Sequence, residues 1–290
     1  MEIRVQLHQV LRIRQIQACS KLVARLEKSP STRVLTERLG SIPGVQRTLT
    51  GYRRPFATLA HAKRALGMAE NRGHLSPDSI NVHLKLSDGP RPSDYAAFFY
   101  LAPYAPHLKR LFDVGGSIGN LYYYYTDYLP FHPDAEWLTM DLPAVVAVGR
   151  RIAEQRNASG LRFTTDFSDA EDSDLIIASG SLHYFPDPLP VMIGRLRRPP
   201  HHVLVNRTPM TDRSDFATTQ DARSYRVACM VYNRARFIQM FEDIGYRLVG
   251  QWEAPELSID IPFYPEHSVK AYTGMLFSEN DKIKGAAVAA

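Results

Sequence analysis

The stretch that most constrains this chain is Leu111-Phe112-Asp113-Val114-Gly115-Gly116-Ser117-Ile118-Gly119-Asn120, an apolar strand-like run opening into a glycine-rich turn before a helical pattern resumes. A strand that feeds a helix through such a turn is the first half of a βαβ unit. Glycines there accept positive φ and let a ligand approach the backbone, while the free N–H groups of the next helix face its negative end. A dinucleotide fingerprint G-x-G-x-x-G begun at Gly115 would need glycines at 117 and 120, where Ser117 and Asn120 stand, and begun at Gly116 it also fails. No G-x-x-x-x-G-K-[ST] run occurs, which argues against a P-loop nucleotidase. What does fit is the acidic Asp113 at the strand end, since a carboxylate repels a pyrophosphate and suits a cofactor bearing positive groups.

The surroundings repeat the same grammar. Leu111 to Val114, Trp137 to Met140, Leu161 to Thr164, Leu175 to Ala178 and Val203 to Val205 read as short strands, with helical stretches between most of them, the pattern of a parallel sheet. Phe237 to Ile244 reads as a helix closed by Gly245. Tyr246 to Trp252 and Tyr272 to Phe277 then read as two strands with no convincing helix between them, free to pair antiparallel. The expected fold is α/β: a Rossmann-like, seven-stranded, mostly parallel sheet with an antiparallel last strand, preceded by a helical N-terminal region.

Ser87-Asp88-Gly89-Pro90-Arg91-Pro92 is turn chemistry and marks the boundary between residues 1–90 and a cofactor domain over 91–280, with Ser93 expected to cap a helix through Leu101. Residues 281–290 are small and read as a flexible tail. In the N-terminal region, apolar residues from Ile3 to Leu26 recur at helical intervals; a second helix should end at Gly40, and Pro55 to Gly67 reads as a third. Such a long apolar face needs a partner, so the region is expected to act as a lid or to build a homodimer. Residues 1–75 hold 14 Lys and Arg against 4 Asp and Glu, a charge of +10 that leaves −5 to the rest. A basic patch of this kind can face nucleic acid, an anionic membrane or an acidic partner, but a solvated helical surface is the commoner cause.

Two cysteines, Cys19 and Cys229, with no CxxC pair and no Cys/His cluster, support neither a disulfide framework nor a metal site. His201-His202 precedes a strand, on the sheet edge opposite the expected site, and is rejected as a metal ligand pair. The first residues lack the apolar core of a signal peptide and no run of about 18 apolar residues occurs, so the expectation is a cytoplasmic protein with no membrane span.

With these motifs in order, the chain resembles the class I S-adenosylmethionine-dependent methyltransferases over Ser93 to Phe277, and in detail the small-molecule O-methyltransferases, whose DVGGxxG loop is followed by a strand ending in D-L-P. It also resembles a bacterial group of methyltransferases associated with surface-polysaccharide genes, through GGSIGNLYYYY and NRTP. The resemblance implies S-adenosylmethionine as cofactor and a small molecule or saccharide as acceptor. It assigns Asp113, Gly115, Gly116, Ser117 and Gly119 to the methionine part, and Asp141 with Leu142, 28 residues after Asp113, to the ribose hydroxyls. The alternative for Asp141 is a helix cap before Pro143. Asp166 and Phe167 match the adenine clamp, with an Asx turn or helix cap as the equal alternative. Ser179 and Gly180, in Asp174 to Pro188 (DLIIASGSLHYFPDP), should leave space for the cofactor, and His183 is the candidate general base because an imidazole can accept a proton near neutral pH; it could equally be a packing or capping histidine. Tyr184, Arg207 and Tyr122, the first of four consecutive tyrosines, are expected to touch the acceptor, Arg207 through an acidic group unless it merely forms a surface salt bridge. A non-catalytic cofactor- or partner-binding module is the competing class. A nucleic-acid methyltransferase is disfavoured because no Asn/Asp-Pro-Pro-Tyr motif follows the fourth strand.

Overall fold

In the computed structural model the described residues are 52, 54–66, 89–221, 226–261 and 264–280. The helices expected over Ile3 to Leu26 and up to Gly40, and the tail over 281–290, lie outside them. In chain order the elements are α1 (Leu59–Leu66), α2 (Pro92–Leu101), β1 (Arg110–Val114), α3 (Asn120–Tyr128), β2 (Glu136–Met140), α4 (Pro143–Gln155), β3 (Leu161–Thr164), β4 (Leu175–Ser179) and α5 (Leu189–Ile193), then β5 (His202–Thr208), β6 (Met210–Thr211), β7 (Phe216–Asp221), β8 (Arg226–Asn233), α6 (Arg234–Glu242), β9 (Tyr246–Ala254) and β10 (Tyr272–Glu279).

Seven of the strands form one sheet in the order β3-β2-β1-β4-β5-β10-β9. The first five run parallel, and β10 enters antiparallel to both β5 and β9, as the uninterrupted pair of strands at the end of the sequence led us to expect. The chain leaves β1 toward β2 on one side and returns to β4 on the other. That reversal opens a crevice at the carboxyl ends of β1 and β4, where ligands of doubly wound sheets bind.

Alternation along each strand sends side chains to two separate cores. Leu111 of β1 packs with Phe98, Leu101, Tyr125 and Trp137 under α2 and α3, while its neighbour Phe112 packs with Ile176, Phe237, Phe241 and Phe277 under α6. β4, covered on both faces, is apolar throughout, with Leu175, Ile176, Ile177 and Ala178 all fully buried. Where β9 and β10 meet α2, the Tyr100 ring stacks on Trp252 with centroids 5.2 Å apart. A Cβ on Gly250 would stand 2.1 Å from the Tyr100 ring, and one on Gly274 would stand 2.1 Å from the Trp252 indole. Overpacking at such a place costs about 1–3 kcal/mol. Gly250→Ala should lower stability by that amount, with an unchanged slope in urea unfolding; a neutral substitution would show that the stack yields.

Two details depart from the sequence expectation. The helix α2 starts at Pro92, not after Ser93. Arg91 is its N-cap and donates its backbone N–H to the Asp94 carboxylate at 2.8 Å, so the acid three residues on does the capping while the Ser93 hydroxyl turns to Glu256. Three segments not read as strands at all, β6, β7 and β8, form a second sheet of order β6-β8-β7. The N-terminal segment completes it: Phe56 and Ala217 exchange backbone hydrogen bonds of 2.7 and 2.8 Å, Tyr52 bridges to Gln220, and Leu59, Ala62 and Leu66 of α1 pack on Ala217 and Ala228. The expected third helix is therefore present but shorter, over Leu59–Leu66. Among the described residues no helix is long and apolar enough to cross a membrane.

Candidate cofactor and acceptor cleft

The turn after β1 is wound through the left-handed region at three of five consecutive positions, with φ of 67° at Gly115, 58° at Ser117 and 84° at Gly119. Ser117 takes this conformation without being glycine, a strain of the kind found at ligand-binding turns. Gly116 is required for a different reason, since a Cβ there would lie 2.1 Å from the Asp113 carboxylate. The loop therefore sits directly on that side chain.

Asp141, just beyond β2, meets this loop. One carboxylate oxygen accepts the Ser117 N–H at 2.8 Å and the other accepts the Leu142 N–H at 2.7 Å. The glycine turn and the acid at the end of the second strand, read as two halves of one fingerprint, are thus in contact. Leu142 is the N-cap residue of α4, and Pro143 stands in the helix's first turn.

Asp113 lies beneath the loop, fully buried, and neither carboxyl oxygen has a hydrogen-bond partner of good geometry. Burial pushes its pKa up to about 7, Asp141 pushes the same way, and the Trp137 indole and Arg207 pull against them.

A cavity of about 240 Å³ opens where β1, β4 and β5 end. Its floor is Gly115, Gly116, Ser117, Ser179 and Gly180, the last with φ 75°. Three buried polar atoms around it, Ser117 Oγ, Asn120 Oδ1 and Ser179 Oγ, have no hydrogen-bond partner, which is unusual for buried groups and suits a polar ligand. The opposite wall is His183, Tyr184, Gln220 and Tyr272, with Tyr52 contributed by the N-terminal segment. His183 is 3% exposed, its ring 4.0 Å from that of Tyr184 and edge-on to Tyr272. Tyr184 donates its hydroxyl to Gln220 at 2.8 Å, and the Tyr52 and Tyr272 hydroxyls are 3.0 Å apart. Burial holds both of those phenols neutral, well above their ordinary range. Two larger hollows of about 500 and 600 Å³ lie elsewhere, and neither touches the glycine loop.

Arg207 is not a surface salt bridge. It lines the cavity at 5% exposure, in a left-handed conformation with φ 51°, and donates from Nη1 to Asp94 at 2.8 Å. Asp94 is fully buried and also accepts the Tyr125 hydroxyl at 3.0 Å and the Asn206 amide at 3.2 Å. Asn206 in turn accepts the Trp252 indole N–H at 3.1 Å.

Three sequence expectations land elsewhere. Tyr122 does not face the cavity; its ring packs edge-on to Trp137 and Tyr123, and Tyr124, half a turn further round α3, is the tyrosine that lines it. Asp166 caps a short 3-10 turn, accepting the Ser168 N–H at 2.9 Å, which holds its carboxyl below the usual range. Phe167 lies against Phe112, edge to face at 5.7 Å, and neither residue lines the cavity. Sequence reasoning missed Asp94, Arg91, Gln220, Tyr272 and Tyr52. Only Asp94 carried a signal, an acid at the third helical position after a proline.

No protein-family model matches the chain, and no curated protein matches it. Among solved structures it is similar to the Burkholderia thailandensis 1,6-didemethyltoxoflavin-N1-methyltransferase, with bound 1,6-didemethyltoxoflavin and S-adenosylhomocysteine, at 16% identity over 79% of this chain and 93% of that one, with a TM-score of 0.49. It is also similar to a Listeria monocytogenes S-adenosylmethionine-dependent methyltransferase at 11% identity, 65% and 99% coverage and TM-score 0.47. A third is the mitomycin 7-O-methyltransferase, at 14% identity, 88% and 70% coverage and TM-score 0.45. Likeness at this level carries no argument about the reaction, so the functional reading rests on the site.

Proposed function

We infer that the chain is an S-adenosylmethionine-dependent methyltransferase acting on an oxygen or nitrogen of a small molecule or saccharide. The observation that carries this reading is the contact between Asp141 and the Ser117 N–H, which sets an acid beside a glycine turn at the switch point of a doubly wound sheet. The orphaned Ser117, Asn120 and Ser179 oxygens around the cavity fit a ligand rich in polar groups. In this reading Gly115 to Gly119, with Asp113 behind them, hold the methionine part, and Asp141 and Leu142 the ribose. Bound there, the cofactor supplies an electrophilic methyl on a sulfonium.

The chain's own share of the chemistry is positioning. Ser179 and Gly180 leave room beside the methyl, and His183 and Tyr184 fix the acceptor from the facing wall, His183 taking its proton where one is lost. Tyr52 reaches the cavity from the N-terminal segment, which supports a lid role for that region. Homodimerisation through the N-terminal helices and a cytoplasmic location belong to the same proposal.

Calorimetric titration with S-adenosylhomocysteine, the stable product, tests it. Saturable one-to-one binding is expected, weakened at least tenfold in Asp141→Ala, since hydrogen bonds to a charged group contribute about 1.5–3 kcal/mol each. No binding by a folded protein would favour the competing reading, a non-catalytic module, for which Ser117 in place of the loop's middle glycine is the observation in hand.

A further inference from the structure

Two charged residues line the cavity, and both are arginines, Arg91 and Arg207; none of the lining residues is acidic. The carboxylate behind them, Asp94, is already saturated. One of its oxygens takes the Arg207 Nη1 and the Arg91 backbone N–H, and the other takes the Tyr125 hydroxyl and the Asn206 amide. Glu256, the other acid near Arg91, accepts the Ser93 hydroxyl at one oxygen, keeps the other buried without a hydrogen-bond partner, and does not line the cavity. Burial and the nearby Arg207 work against the charge on Arg91, with Asp94 and Glu256 pulling the other way, while Asp94 favours the charge on Arg207. Two partly desolvated guanidiniums face one space, and this arrangement is relieved by anions rather than by neutral ligands.

This argument rests on the methyltransferase reading. S-adenosylmethionine would bring a carboxylate together with a sulfonium and an ammonium, and no residue lining the cavity is acidic. An acidic acceptor would give the cavity the carboxylate or phosphate oxygens that its own lining lacks. We propose that the acceptor is a small acid whose carboxylate or phosphate pairs with Arg207, with the atom to be methylated turned toward His183 and Tyr184. The anchor is built to be rigid: Arg207 is fixed by Asp94 on one side, and its Nε lies beside Gly180, 3.9 Å from where a Cβ on that glycine would stand. Planar N–H donors held in this way recognise carboxylate and phosphate oxygens by geometry as well as charge.

The test is calorimetry on the full chain saturated with S-adenosylhomocysteine, using lactate, inorganic phosphate and glycerol as probes. Lactate or phosphate should bind saturably and at least tenfold more tightly than glycerol, and whichever wins identifies the acid. Raising the salt should weaken the acid and leave glycerol unchanged. Arg207→Gln should lower the acid's affinity at least tenfold, and Arg207→Lys, which keeps the charge should the glutamine variant fail to fold, should retain part of it. Glycerol binding as tightly as either acid, no saturable acid binding, or acid binding insensitive to salt and to the Arg207 substitutions would overturn the proposal. If S-adenosylhomocysteine itself fails to bind, the methyltransferase reading falls first, and this is seen before any acid is added.

Discussion

Asp113→Asn should raise the thermal midpoint by several degrees at pH 8 and by far less at pH 4. The carboxyl is fully buried and its pKa stands at about 7 against an ordinary 3.8. A carboxyl whose folded pKa is raised binds its proton more tightly folded than unfolded, so stability falls as pH rises. The penalty is small near the unfolded value of about 4, grows through the interval between the two values, and is complete above about pH 7. Its ceiling is roughly 4 kcal/mol, at about 1.4 kcal/mol per pKa unit. Asparagine keeps the shape against Gly116 and carries no charge to bury. Thermal scans of both proteins at pH 4, 6 and 8 measure the effect, and a difference that does not grow with pH would refute it. The same substitution should weaken S-adenosylhomocysteine binding at pH 8. A residue that destabilises the apo fold yet aids the ligand is the exchange expected at a functional site.

The main sheet was legible because its strands are short runs whose two-sided burial leaves little choice of residue. β4 is apolar at four consecutive positions, and the glycine turn needs backbone conformations that few residues supply. The second sheet was not. β7, Phe-Ala-Thr-Thr-Gln-Asp, has no apolar run, and its buried threonines, Thr218 and Thr219, look polar in sequence although they face the interior. Tyr52 was equally hidden, because its place in the cavity depends on pairing with Gln220, far along the chain. Within the site, Asp113, Ser117 and Asp141 were found by spacing along one βαβ unit. Tyr122 was the wrong one of four adjacent tyrosines, since the helical phase that turns Tyr124 inward is fixed by packing on Trp137 rather than by residue type.

Asp94 shows the same limit at its most severe, and it carries the other large expected effect. Its partners Tyr125 and Arg207 lie 31 and 113 residues away, so the local pattern gives only its capping position and not its place in the site. Asp94→Ala removes the carboxylate from four donors at once and leaves a buried guanidinium uncompensated. Breaking a buried pair from one side costs about 3–5 kcal/mol, and urea unfolding should show a loss of that size. The double variant Asp94→Ala with Arg207→Met should lose clearly less than the two single losses added together, because no orphaned charge remains. Strict additivity would mean that the two groups do not depend on each other. The coupling matters beyond stability. α2 is tied to β5 through this pair, and the same pair holds the Arg207 guanidinium at the cavity wall. A charge that anchors the helix and faces the ligand must be rigid for both purposes, and burying its counter-ion completely, at a cost in desolvation, achieves that rigidity.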